Sequence, residues 1–213
     1  MKFDVKTVNR ILEISDAFKA PSKMMSLMLN DKKREETFEK FLEIETDMSY
    51  EWFHEYFQDE QAERKSKKQD FTPSSISKLI GKMIANKPGI YYEPAAGTGS
   101  MLIAKWNDDR INNPMLDISK DDLGKIFKVL LYDPRNYWYQ VEELSDRAYP
   151  FLIFNMAIRG MNGVAIQCNS LTREAKRAYF IRNDSDNYLG FSEVIEIPRN
   201  NLCARALNVN WEI

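Results

Sequence analysis

In the stretch YYEPAAGTGSMLIAKW, residues 91 to 106, an aromatic run gives way to a turn of small residues and then to an apolar, helix-like run. Glu93 and Pro94 stand before Ala95, Ala96, Gly97, Thr98, Gly99 and Ser100, which carry almost no side-chain bulk. A strand that enters such a turn and leaves it as a helix is a device for holding an anion or a nucleotide. Glycine permits torsions and close approach that a Cβ forbids, and the helix N-terminus offers unpaired N–H groups. Alone the turn is unspecific. Gly97-Thr98-Gly99 lacks the third glycine of the dinucleotide fingerprint, and no Gly-Lys-Ser/Thr follows to make a phosphate loop. A second chemical group is the carboxylate pair Glu142-Glu143, at the end of the next plausible parallel strand. A carboxylate there can accept hydrogen bonds from ribose hydroxyls.

Other chemistries are excluded by composition. Cys168 and Cys203 make neither a disulfide framework nor a metal quartet, and His54 as the only histidine excludes a His-rich metal site. With 30 basic and 32 acidic residues the formal charge is −2, so any nucleic-acid contact must come from a local patch. The one dense basic run, Arg64-Lys65-Ser66-Lys67-Lys68, reads as a solvated helix face. No apolar run reaches membrane-spanning length and no signal peptide opens the chain, so the expectation is a cytoplasmic, reduced, metal-free protein without membrane contact.

The elements that must position these groups follow from periodicity. Residues 1 to about 70 contain no glycine and carry helical spacing. Val8, Ile11, Leu12, Ile14 and Phe18 form a first stripe, and Pro21 with Ser22 marks a stop and a new cap before a second helix through Leu29. A third helix over residues 34–44 presents Phe38, Phe41 and Leu42. A fourth over residues 50–68 turns Trp52, Phe53, Tyr56 and Phe57 inward. From residue 69 the pattern changes. Thr72-Pro73-Ser74 opens an amphipathic helix that ends near Pro88-Gly89, IYYEPA reads as a buried strand, and Ser100 to Trp106 as a helix. Residues 107–124 form a polar insertion. KIFKVLLYDPRNYWYQVEEL holds one or two extended stretches, and SDRAYPFLIFNMAIRGMNG a helix closed by Gly160 and Gly163. Three further strand candidates follow. Strand-helix alternation predicts an α/β fold with a mostly parallel sheet over residues 69–213, behind a small helical domain over residues 1–68.

In this order the motifs become specific. DFTPSSISKLI, YYEPAAGTGSMLIA, YQVEELSDRAYPFLIFNMAIRGM and IQCNSL together resemble the catalytic core of adenine-N6 DNA methyltransferases. The nearest resemblance is to the modification subunits of type I restriction systems and to short methylase-like phage proteins. The resemblance covers about residues 69 to 171. It implies a Rossmann-like methyltransferase fold and S-adenosylmethionine (SAM) as cofactor. Carried over residue by residue, it places Phe71, Thr72 and Pro73 at the methionine end of SAM. Glu93, Pro94 and the backbone from Ala95 through Ala96, Gly97 and Thr98 to Gly99 would hold the amino acid moiety. Glu143 would bind the ribose, with Glu142 as the alternative. Asn169, standing where the family has Asp, and Ser170 would lie at the adenine ring.

The family transfers the methyl group at an Asn/Asp-Pro-Pro-Phe/Tyr loop. A side-chain oxygen and a backbone carbonyl accept from the adenine amine while the aromatic ring stacks on the flipped base. Here Asn183-Asp184-Ser185-Asp186 stands in its place, leaving Asn183 and Tyr188 as the catalytic candidates. Three activities stay open. One is methyl transfer to DNA adenine, with a separate specificity partner reading the DNA. The second is a silent methylase-like module that engages restriction or phage-defence proteins, as a homo- or hetero-oligomer. The third is transfer to a substrate other than DNA.

Overall fold

The computed structural model describes residues 2–57, 89–112, 122–186 and 190–212. Local signals account for the first helices. Asp4 caps α1 (Val5–Leu12) by accepting the Thr7 amide at 2.7 Å. Pro21 occupies the first turn of α2 (Ala20–Met28), where its missing N–H costs nothing. Asn30 caps α3 (Asp31–Leu42) by accepting the Lys33 amide at 3.0 Å. Each cap satisfies a donor that the helix end leaves orphaned. Val8, Ile11 and Leu12 face inward, but Phe18 lies in a 3-10 turn before α2 and is 65% exposed. Of the helix expected over residues 50–68, residues 54–57 are helical, and Trp52, Phe53, Tyr56 and Phe57 are buried. Its remainder, the basic run at 64–68 and the helix expected from Thr72 lie outside the described residues. No helix among the described residues is long and apolar enough to cross a membrane.

The chain is a mixed α/β structure. β1 (Ile90–Glu93), β2 (Trp138–Glu143) and β3 (Gly163–Cys168) lie side by side and parallel. Between β1 and β2 the chain forms α4 (Ser100–Ile111) and α5 (Asp122–Leu130), and between β2 and β3 it forms α6 (Tyr149–Ile158). β4 (Glu174–Arg182) then doubles back antiparallel to β3, and β5 (Glu193–Glu196) is antiparallel to β4. After α7 (Asn201–Leu207), the short β6 (Asn210–Trp211) pairs in parallel with the start of β4.

The sheet is mostly parallel, as expected, and β4 reverses because the segment between Cys168 and Glu174 is far shorter than the dozen or so residues a parallel crossover needs. Arg173, at φ 65°, closes that hairpin instead. Two local expectations are corrected. The stretch after Lys125, expected to be extended, belongs to α5, where Leu123, Ile126, Phe127 and Leu130 recur at helical spacing. Gly163 does not close a helix but starts β3. A Cβ there would meet the Tyr139 carbonyl oxygen at 1.9 Å, so only glycine lets the two strands pair.

α6 is the centre of the packing. Every residue from Tyr149 to Ile158 is buried, which an apolar-all-round helix requires. Phe151 and Phe154 meet Phe53 at ring separations of 4.7 and 5.2 Å, and Phe154 meets Phe41 at 4.8 Å. Such edge-to-face pairs add to the burial of large apolar area. The N-terminal helices therefore share one hydrophobic core with the sheet.

Candidate functional site

β1 delivers Glu93 into the turn, and the turn delivers the chain into α4. Gly97 has φ 58° and Gly99 φ 99°, torsions that cost a residue with a Cβ. Gly99 is also where α6 approaches, since a Cβ there would stand 3.0 Å from Leu152 Cδ1. The turn is pinned from both ends: the Ala96 amide donates to the Glu142 carbonyl at 2.9 Å, and the Gly99 amide to the Ala96 carbonyl at 2.8 Å. No side chain caps the N-terminus of α4. Its first turn, with Ser100 and Met101, faces a cavity of about 510 Å³.

That cavity lies beyond the C-terminal ends of β1, β2 and β3, where an open α/β sheet places its ligands. It gathers most of the residues singled out from sequence. Glu93, Pro94, Ala95, Ala96, Gly97 and Thr98 come from the turn, Glu143 from the end of β2, and Asn169 and Ser170 from the end of β3. Gly99 acts one step back, as the residue preceding α4. Phe71, Thr72 and Pro73 lie outside the described residues. Sequence reasoning missed Ser100, Met101, Leu144 and Leu171, which also line the cavity. Leu144 and Leu171 are 53% and 94% exposed, apolar groups left at a rim. Their signal was adjacency to Glu143 and Ser170 in the chain.

The two neighbouring carboxylates have different tasks because successive strand residues point to opposite faces. Glu143 turns toward the cavity. Its Oε2 accepts the Gly97 amide at 2.7 Å and its Oε1 the Ser145 amide at 2.7 Å. Glu142 is fully buried on the other face, in a bidentate pair with Arg173 at 2.6 and 2.9 Å. The structure thus brings Glu143, and not the alternative Glu142, to the cavity.

Glu93 is almost wholly buried, and burial pushes its carboxyl up to about 7. The Tyr91 hydroxyl, donating at 3.0 Å, and the Leu102 amide pull it down, while the charge of Glu143 pushes it further up. A cationic group entering the cavity would relieve that crowding of negative charge. At β3 the Asn169 Oδ1 accepts the Leu171 and Thr172 amides at 3.0 and 3.3 Å, and the Ser170 hydroxyl donates to the Pro94 carbonyl. The β3 end is thereby tied across to the β1 end.

Asn183 is not brought to the cavity. The antiparallel register sets Ile181 opposite Gly163, so Asn183 stands beside Asn162 at the other end of β3. Its side chain is committed there. Nδ2 donates to the Gly160 and Gly190 carbonyls at 3.1 and 3.0 Å, and Oδ1 accepts the Ser185 amide at 2.9 Å. Its main chain is clasped by Asn162, which accepts from the Asn183 amide at 2.6 Å and donates to its carbonyl at 2.8 Å. Asp186 pairs with Arg135 at 2.7 Å, and Tyr188 lies outside the described residues.

The profile of the family described as N-6 DNA methylase matches residues 46–182 of the chain. No curated protein and no solved structure matches it. The matched span takes in the small-residue turn, both carboxylates, α6 and the β3–β4 hairpin, and it amounts to well over half of the 213 residues. The chain belongs to the N-6 DNA methylase family.

Proposed function

We propose that this protein binds S-adenosylmethionine in the cavity at the C-terminal ends of β1, β2 and β3. The observation that carries the reading is the meeting of a glycine turn, an uncapped helix N-terminus and the Glu143 carboxylate around one cavity. The residues fit the ligand part by part. The main-chain amides at the start of α4 suit its carboxylate, and Glu93 suits its ammonium. Glu143, though held by two amides, keeps lone pairs for ribose hydroxyls. Leu144 and Leu171 offer apolar surface to the adenine ring, with Asn169 and Ser170 beside it. Phe71, Thr72 and Pro73 take the methionine end, as the family resemblance implies. A cavity of about 510 Å³ lies within the usual range of small-molecule sites, roughly 300–1,000 Å³.

Bound there, the cofactor supplies an electrophilic methyl group on a sulfonium. Transfer to an adenine amine also needs an oxygen acceptor that localises the nitrogen lone pair. The placement of Asn183 at the far end of the sheet, with its amide already hydrogen-bonded, favours a SAM-binding module that does not transfer by itself. The partners suited to it are a DNA-reading specificity subunit or a restriction or phage-defence protein, in the cytoplasm. Calorimetric titration with SAM tests the first step, and saturable binding is the expected result. Incubation with tritiated SAM and adenine-containing DNA tests the second. The purified chain should leave DNA unlabelled; label in N6-methyladenine that Asn183→Ala abolishes would restore the transfer reading.

A further inference from the structure

Within the candidate site the buried Thr98 is flanked by Gly97 and Gly99, two residues without side chains to lock the turn. Its carbonyl is nevertheless held. Asn155 Nδ2, from the middle of α6, donates to the Thr98 carbonyl at 2.8 Å and to Glu51 Oε1 at 3.1 Å. Glu51 Oε1 also accepts the Phe53 amide at 2.9 Å. Both side chains are buried, Asn155 completely.

The orientation of the Asn155 amide is set by a second charge. Arg159 Nη1 donates to Asn155 Oδ1 at 2.7 Å and to the Asn155 carbonyl at 3.1 Å, so the amide NH₂ must point at Thr98 and Glu51. Arg159 is itself anchored to the N-terminal segment. Its Nε donates to the Met48 carbonyl at 3.0 Å and its Nη2 to the Tyr50 carbonyl at 2.8 Å. Its guanidinium also lies 5.3 Å from the centre of the Trp52 ring and 5.9 Å from that of Trp106. A residue with one Nδ2 and two acceptors, oriented by a buried arginine, is an expensive arrangement for packing alone, because each buried polar group must be matched.

We infer that Glu51 and Asn155 are positioning residues for the cofactor turn, so that the segment around Met48–Glu51 is a working part of the ligand site. They touch no ligand. They fix the Thr98 carbonyl, and with it the direction in which the Gly97 amide meets Glu143 and the open end of α4 meets the cavity. Ligand affinity is then set in part by preorganisation of a glycine-flanked peptide, which would otherwise pay its ordering entropy on binding. The link to affinity rests on the SAM-binding reading; the positioning itself does not.

Two arms of one experiment separate these. Asn155→Asp keeps the volume and the acceptor for Arg159 but cannot donate to the Thr98 carbonyl. It should move the Gly97 and Gly99 amide resonances and speed their hydrogen exchange in the ligand-free protein. It should also weaken SAM binding at least tenfold by calorimetry. Glu51→Leu should reproduce both effects, whereas Glu51→Gln, which retains an acceptor for Asn155, should bring affinity back to within threefold of the unaltered chain. Unmoved glycine resonances and unchanged affinity in Asn155→Asp, or a Glu51→Gln as poor as Glu51→Leu, would overturn the inference. If the unaltered chain binds no SAM, the ligand assignment fails while the resonance and exchange arm still decides the positioning. If Asn155→Asp does not fold, Glu51→Leu against Glu51→Gln decides it on the same readouts.

Discussion

The two ends of the β3 strand carry asparagines that look alike in sequence and differ in what they can do. At the C-terminal end Asn169 holds its own turn with one oxygen and lines a cavity together with groups from β1 and β2. At the N-terminal end Asn183 is clasped by Asn162 and spends its amide on Gly160, Gly190 and Ser185. One end leaves polar groups facing open space, and the other consumes them in keeping a turn closed. An asparagine is available for chemistry only where the backbone around it does not need its side chain.

That contrast can be broken most directly at the cavity. Gly97→Trp places an indole where the turn lines the cavity, at a φ of 58° that a bulky residue adopts at a cost of about 1–2 kcal/mol. Calorimetry should show SAM affinity reduced more than about a hundredfold, equivalent to roughly 3 kcal/mol. Circular dichroism should show the fold retained. Undiminished affinity would remove the ligand from this cavity.

The next effect is set by pH. Glu93, at about 7, is protonated in the free site through mildly acidic pH, so an ammonium finds its full charge only above that value. SAM affinity should fall as pH drops below 7, by up to about tenfold per unit. The stability of the free protein should move the opposite way. A carboxyl raised above its ordinary value favours the fold below about 4.5, and that contribution is lost as pH rises through about 7. Glu93→Gln should flatten both curves between pH 5 and 7.5; a persistent slope in the binding curve assigns it to another group.

The smallest effect on the ligand belongs to the far end. Asn183→Ala removes three side-chain hydrogen bonds from a buried turn and should cost about 1–3 kcal/mol in denaturant unfolding. It should leave SAM affinity within twofold. A larger loss of affinity would mean that the two ends of the sheet act as one site.

Much of this was legible in the chain. Phe38 and Phe41 face the core from α3, as their spacing predicts, and the predominantly apolar α6 is buried throughout. The small residues from Ala95 to Ser100 identify the turn, because left-handed torsions and close approach both exclude bulk there. The reversal of β4 was also written there, in the shortness of the segment after Cys168. α5 was mistaken for a strand because β-branched and aromatic residues suit both states when packing is ignored.

Other features had no local signature. Nothing near Glu51 in sequence announces Asn155 or Thr98, and nothing at Glu142 or Glu143 says which of the two faces the cavity. The sequence by itself determined most of the helices and strands, the glycine turn and the family motif order, since each depends on torsions and spacing within a few residues. Tertiary structure alone decided that Glu143 meets Gly97, that Asn183 lies at the end of the sheet away from the cavity, and that a buried arginine aims Asn155 at the turn. Those outcomes depend on register and on which polar groups are left without water, and both are settled only when distant segments pack.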